Sequence, residues 1–480
     1  MDDDQQLLLA LPTLCYGSPT LTVHPLQAFS RPAVQVTRRS ILKFLKKLFV
    51  LALIVALGGF GYFLLRDMTA PELTVTPAQG PLSPRVPLKV DLQDPGVGLR
   101  SFSVAAIQDG RQIELLVRQF PPGTKTAEET IDLAKAGLKE GPVSIRLKAE
   151  DRALFRFGHG NAVERTFNYQ IDSIPPQVSI LTRHHNFNQG GAGAVVYTVS
   201  EDVKSTGIRV GDLFFPGYRQ SSGKYVCLFA FPWNMAESDF VPKVVATDPA
   251  GNEQIQGIYY HDNPRNFPSD RINISQSFLD NKIVPTFQHL FPEITDPLEL
   301  FLKVNGQLRR TNLATIHELS TQTSATPLWE GAFLRQPRAA SPGSFAQPRT
   351  YYYNGKVIDH QTHLGLDLAS TAHAPVPAAN DGKVIHAGDL GIYGQCVVID
   401  HGLGLQTLYG HMSQLAVQVG ETVEKGQTIG HTGSTGLAGG DHLHFDVLVG
   451  GVQVNPIEWL DSHWVRVNIT DKLNLASGKN

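Results

Sequence analysis

Between Thr362 and Ser370 the chain reads THLGLDLAS, so that three leucines alternate with His363, Gly365 and Asp367. An extended segment of this kind shows one apolar face and a second face that holds an imidazole, a gap and a carboxylate. Three further segments of the same region are rich in such groups: DHGLG at Asp400 to Gly404, LYGHM at Leu408 to Met412, and DHLHFD at Asp441 to Asp446. Imidazole and carboxylate without thiolate suit Zn²⁺ in a site that keeps an open coordination position. Fully extended, His363 and Asp367 would stand about 13 Å apart along the backbone, whereas two donors to one ion must lie within a few ångströms of each other. The segment must therefore curl, and Gly365 permits that while leaving room for a metal. In HLHFD, residues 442 and 444 share a strand face while Leu443 and Phe445 point to the core. One imidazole of the pair can bind an ion and its neighbour can face the water.

The elements that must position these groups are legible as patterns. From Pro71 to about Pro264 short β-type runs such as ELTVTP, VPLKVDL, VSIRLKAED, AVVYTVSED and PKVVATDPAGN alternate with Gly, Pro, Asn and Asp turns, the pattern of antiparallel sandwiches. APELTVTP near residue 70 is echoed by PPQVSILT near 175, and PVSIRLKAED by PKVVATDPAGN, which predicts two tandem β-sandwich domains over 70–172 and 173–264. DPAGN at Asp248 to Asn252 gives these segments a resemblance to bacterial immunoglobulin-like modules. The period then changes: Asp296 followed by Pro297 is a helix start, Leu298, Leu300, Phe301, Leu302 and Val304 form an apolar stripe before Gly306, and Ser275 to His289 reads as another helix, interrupted at Pro285. A helical connector over 265–335 is predicted, and after Pro342 the chain is strand-rich again. Gly433, Gly436, Gly439 and Gly440 supply a flexible loop before HLHFD, and no Lys follows in P-loop spacing.

Leu48 to Leu65 is an uncharged run preceded by Arg31, Arg38, Arg39, Lys43, Lys46 and Lys47 without an acidic residue among them. By length and charge asymmetry it is expected to be a transmembrane anchor (48–65), with a cytoplasmic basic tail (1–47) and the rest exported. Retention of the anchor is expected over cleavage after Ala70. A net charge of -3 gives no reason to expect nucleic acid as partner. Cys15, Cys227 and Cys396 form no short metal-type pair, and Cys227 and Cys396 are expected as buried free thiols.

HLGLD, YGHM and HLHFD, in that order, with GQCVVIDHGLGLQTLYGHMS, VGETVEKGQTIGHTGSTG and NPIEWL around them, resemble the lysostaphin or LytM type of zinc metallopeptidase from about Ser341 to Leu460. The resemblance implies an antiparallel β-sheet peptidase domain (336–466) in which His363, Asp367 and His444 hold Zn²⁺. It further implies that His411 and His442 flank the catalytic water, and that Tyr393 lines the groove and hydrogen-bonds the intermediate, packing of its turn being the alternative. Asp446 stands where a glutamate is frequent, and SFAQPRTY around Phe345 replaces the usual SxFGxR approach. His360, His373, His386, His401 and His431 are expected to be loop or structural residues.

The fold class expected is mainly β: an N-terminal transmembrane helix, two immunoglobulin-like sandwiches, a short helical connector and the peptidase sheet. The function the resemblance implies is a membrane-anchored zinc endopeptidase of peptidoglycan stem peptides or cross-links. Envelope proteins are possible partners through the sandwiches. A non-hydrolytic wall-binding regulator and a zinc endopeptidase of exported proteins are the alternatives.

Overall fold

Leu88, Val90 and Leu92 are buried while Lys89, Asp91 and Gln93 face solvent, the period of two that the sequence shows over this strand. Repeated through the region, this alternation builds a first sandwich. One sheet is formed by Glu72–Thr76, Leu88–Gln93 and Thr126–Ile131, and the other by five strands ordered Pro81–Leu82, Ala162–Ile171, Gly141–Asp151, Leu99–Gln108, Arg111–Gln119. Their inner faces enclose a core around Leu88, Phe102, Ile145 and Leu147. The second sandwich pairs a sheet containing Ala192–Val199 and Tyr225–Ala230 with one containing Ser205–Val210 and Lys243–Thr247. The echo between the two halves is structural: each closes on an aspartate whose two oxygens accept from one asparagine. Asp151 takes the Asn161 N–H and Nδ2 at 2.7 Å each, and Asp248 takes those of Asn252 at 2.9 and 2.8 Å.

The computed structural model describes residues 38–65, 67–154 and 158–477. Residues 1–37 of the expected tail, with Cys15, lie outside these. A helix, α1, spans Arg38–Leu65. Its uncharged part with described side chains, Leu48 to Tyr62, is largely exposed and about 22 Å long at ~1.5 Å per residue. Among the described residues no helix is long and apolar enough to cross a membrane, so the spanning helix expected over 48–65 is not established by this structure.

The C-terminal sheet uses β1 (Ala340–Gly343), β4 (Leu366–Ala369), β5 (Gly382–Asp389), β6 (Gln395–Gly402), β7 (Leu405–Met412), β8 (Thr422–Val423), β9 (Leu443–Val449) and β10 (Val452–Val454). They run in the order β1, β4, β9, β7, β6, β5, β8, with β10 on β9. The hairpin β2 (Gln347–Tyr353) and β3 (Lys356–His363) leads into it. Every residue of β9 is buried, because the sheet is covered on both sides. Leu443, Phe445, Val447 and Val449 join Leu366, Leu368 and Tyr409 in a core continuous with Val195, Phe215 and Phe229 of the second sandwich. On the other face Leu448, Leu408, Val398 and Cys396 pack on Phe287, Phe301, Val304 and Ile316 of the connector. Cys227 and Cys396 are free and buried, as expected.

The connector starts where its caps predict. Asp296 Oδ1 accepts from the Leu298 N–H at 2.7 Å and Ser275 Oγ from that of Phe278 at 3.1 Å. It does not stop at Gly306: helical structure continues through Val304–Leu308 into α2, Arg309–Leu319. Its first segment, Asp270–Ile274, is a strand paired in parallel with β2. The expected boundaries at 264/265 and 335/336 are therefore crossed by packing. Residues beyond 466 pack back as well, with Lys224 Nζ donating to the Leu475 carbonyl at 2.6 Å.

Candidate active site

On β4 and β9 the residues alternate between the two covered faces. Leu366, Leu368, Leu443 and Phe445 point to the sandwich side, which forces Asp367, His444 and Asp446 to the connector side. Asp367 stands opposite His444 in the antiparallel register. His363 ends β3, and two residues carry the chain round to β4. Gly365 in that link has a packing reason different from the one the sequence suggested: a Cβ there would overlap Asp446 Oδ1 and the His444 ring.

The result is a tight donor group. His363 Nε2 lies 2.9 Å from Asp367 Oδ1 and 3.0 Å from His444 Nδ1, and His444 Nδ1 lies 3.1 Å from Asp367 Oδ1. All three residues are buried. Their other polar atoms set which atom faces inward. His363 Nδ1 donates to the Ser344 carbonyl at 2.9 Å, leaving Nε2 as a lone-pair donor. Arg349 Nη2 holds Asp367 Oδ2 at 3.0 Å, leaving Oδ1. Behind His444, Nε2 stands 2.8 Å from Asp446 Oδ1. That contact is off-line for a hydrogen bond, and among the described residues both buried Asp446 oxygens have no other hydrogen-bond partner, so it acts as an ion pair that turns Nδ1 inward.

Two imidazole nitrogens and a carboxylate oxygen converging at such distances repel one another unless a cation or a proton sits among them. Burial draws His444 down, but Asp446 and Asp367 outweigh it and raise the ring to about 9. Burial likewise pushes Asp367 up, but His363, His442 and His444 hold it well below the usual carboxylate range. The set thus favours a proton or a cation among its donors. Its chemistry, N₂O without sulfur, fits Zn²⁺.

Two further rings complete the arrangement. His411 donates from Nδ1 to the Thr435 carbonyl at 2.9 Å, and His442 from Nδ1 to the Gly440 carbonyl at 2.9 Å. Each therefore turns Nε2 away from its carbonyl partner, and the Nε2 of His442 is 3.4 Å from Asp367 Oδ1. Their ring centroids are 4.9 Å apart, and His411 is 5.7 Å from His444. His411 is reached by a backbone device: its φ is +63°, at a break in register between Val397↔Tyr409 and Gln395↔Met412. Such a bulge with a left-handed residue re-aims a side chain that regular alternation would place elsewhere. Burial first, then His444 and His442, keep the His411 ring well below its ordinary value and so neutral.

Tyr393 lies in the turn Gly391–Tyr393 with its ring 5.3 Å from that of His444. It lines the groove, but its hydroxyl pKa is pushed up by burial first and then by Asp446. A groove of about 990 Å³ opens over the trio, walled by β2, the connector and Trp233 of the second sandwich. His401 is structural, bridging the Asp381 carbonyl at 2.7 Å and Thr407 at 2.8 Å. His360 lines the groove edge. Sequence reasoning singled out neither Arg349 nor the supporting role of Asp446. The arginine of SFAQPR and the two-residue spacing from His444 were the available signals.

A β-sheet carrying a buried His/Asp/His donor set, with two more imidazoles at its open side, has the make-up of a metallopeptidase domain. Residues 361–456 match peptidase family M23, and the chain carries a domain of that family at its C-terminal side. Over 95 residues it is 41% identical to the DD-carboxypeptidase/endopeptidase Mpg of Neisseria meningitidis, covering 20% of this chain and 22% of that protein. Over 129 residues it is 36% identical to the peptidoglycan DD-endopeptidase ShyC of Vibrio cholerae (26% and 29%). Over 127 residues it is 34% identical to the murein hydrolase activator EnvC of Escherichia coli (26% and 30%). The chain thus spans less than a third of the length of these relatives.

Proposed function

We propose that this protein is a zinc-dependent endopeptidase that cuts peptide bonds in peptidoglycan stem peptides or cross-links. The observation that carries the reading is the convergence of His363 Nε2, Asp367 Oδ1 and His444 Nδ1 beside two imidazoles whose Nδ1 protons are already committed. The similarity to peptidoglycan endopeptidases supports the substrate class.

His363, Asp367 and His444 would hold the zinc ion, which would supply a Lewis-acid centre and lower the pKa of a water beside it. His442, whose Nε2 already faces Asp367, is placed to accept the proton of the attacking water. His411, held neutral by burial and its neighbours, is placed to receive or return a proton at Nε2 and to hydrogen-bond the developing oxyanion. The Thr435 and Gly440 carbonyls keep both rings in the tautomer that does this. Tyr393 fixes the His444 ring and forms part of the groove wall.

The substrate lies outside the cytoplasm, and the basic residues before the apolar run of α1 support anchoring of this segment in the cytoplasmic membrane with the catalytic domain on the far side. The two sandwiches, immunoglobulin-like in sequence pattern, would hold the groove toward the wall. Similarity to a murein hydrolase activator favours a second reading, a non-hydrolytic regulator. Incubation of the full chain with purified peptidoglycan separates them. New peptide termini in the soluble fraction, lost with a zinc chelator and in His363→Ala, establish the peptidase. Zinc-loaded protein that releases no peptide overturns it.

A further inference from the structure

Two arginines line the groove over the donor trio, Arg349 and Arg309. Arg349 is committed to Asp367 at 3.0 Å. Arg309 is not committed to any carboxylate among the described residues. It begins α2, where its Nε and Nη2 donate to the carbonyl and Oδ1 of the buried Asn305 at 3.1 and 2.6 Å. Asn305 Nδ2 is in turn fixed on Asp359 at 2.7 Å. The guanidinium is thereby held in one orientation, half-buried, with its remaining N–H groups on a cleft.

The same helix supports the catalytic wall. Asn312 Oδ1 accepts the Ile392 N–H at 2.9 Å in the turn that carries Tyr393, and Tyr393 packs on His444. Arg309 and the donor trio are thus linked through one turn. Of the other acidic groups on the groove, Asp441 accepts from Thr432 at 2.7 Å and from the His373 N–H at 3.1 Å, and Asp270 accepts from the Arg271 N–H at 2.7 Å.

We propose that Arg309 is a carboxylate-binding residue of the substrate groove, which makes the protein select peptides with a free carboxylate near the scissile bond over the same peptides amidated there. An arginine fork matches a carboxylate in two parallel hydrogen bonds, and one already immobilised loses little entropy on binding it. Stem peptides of the wall carry such carboxylates, free or amidated. The proposal rests on the peptidase reading for its substrate, and it assigns a specificity to a segment outside the family match, which starts at residue 361.

The test uses two synthetic cross-linked stem peptides identical except for acid or amide at that carboxyl group, with the zinc-loaded full chain. Wild type is expected to favour the acid in kcat/KM by about tenfold or more, mainly through KM, the size of a charge-assisted hydrogen bond. R309Q is expected to bring the two substrates within about threefold of each other, and R309K to lie between. Equal use of both peptides by wild type overturns the proposal and leaves the peptidase standing, as does an unchanged preference in a folded R309Q. If neither peptide is cut, calorimetric binding decides: acid-selective binding lost in R309Q keeps the carboxylate site and sinks the peptidase, and unselective binding sinks both.

Discussion

His444 and Asp446 lie two residues apart on one face of β9, and the imidazole Nε2 of the first is 2.8 Å from the buried carboxylate of the second. That contact turns His444 Nδ1 toward His363 and Asp367. Asp446→Asn keeps the shape and removes the charge, and it is expected to weaken zinc affinity by about 10- to 100-fold. Competition with a chromophoric chelator measures this, and unchanged affinity would refute the orienting role.

Donors and proton carriers separate by substitution. His363→Ala is expected to lose bound zinc. His411→Ala and His442→Ala are expected to keep it while losing roughly 10²–10⁴-fold in peptide release, the range of general acid–base catalysis. Elemental analysis alongside product assay decides it. A His411 variant with wild-type turnover would remove that ring from the mechanism.

Gly365→Ala places a methyl group where Asp446 and His444 stand. The cost of such overpacking is about 1–3 kcal/mol, and because the displaced groups orient a ligand, zinc content should fall along with the melting temperature. Loss of neither would show that the link has room to relax.

Glu458 couples the catalytic domain to the second sandwich, accepting from Asn188 at 2.6 Å and the Ala192 N–H at 3.2 Å. Burial pushes its carboxyl up to about 7, against the lowering effect of those hydrogen bonds. A raised folded-state value means that the folded protein holds the proton more tightly. Its stabilisation is full below about pH 4.5 and is lost as pH rises to about 7, roughly 3 kcal/mol across the window. Denaturant unfolding of wild type and Glu458→Gln at several pH values checks this: the variant should lack that part of the slope. Equal slopes would place the Glu458 carboxyl in its ordinary range.

The donor residues themselves could be named from the linear chain. Chemistry needs particular side chains, and HLGLD, YGHM and HLHFD state them; alternation on a strand was enough to put 442 and 444 on one face and Leu443 with Phe445 in the core. The sandwiches, the Asp296 cap and the helical stretch from Ser275 were likewise local matters of period and turn chemistry. What folding alone decided is who stands behind and around those donors. Arg349, Asp446 and the Ser344, Thr435 and Gly440 carbonyls come from separate segments, and a backbone carbonyl carries no residue-type signal. The left-handed bend at His411 arises from a mismatch in strand register, a property of two strands together. The walls, too, depend on three dimensions: apolar faces of the second sandwich and of the connector look alike as sequence whether they meet each other or a third sheet, and only tertiary packing shows that they close on the two sides of one.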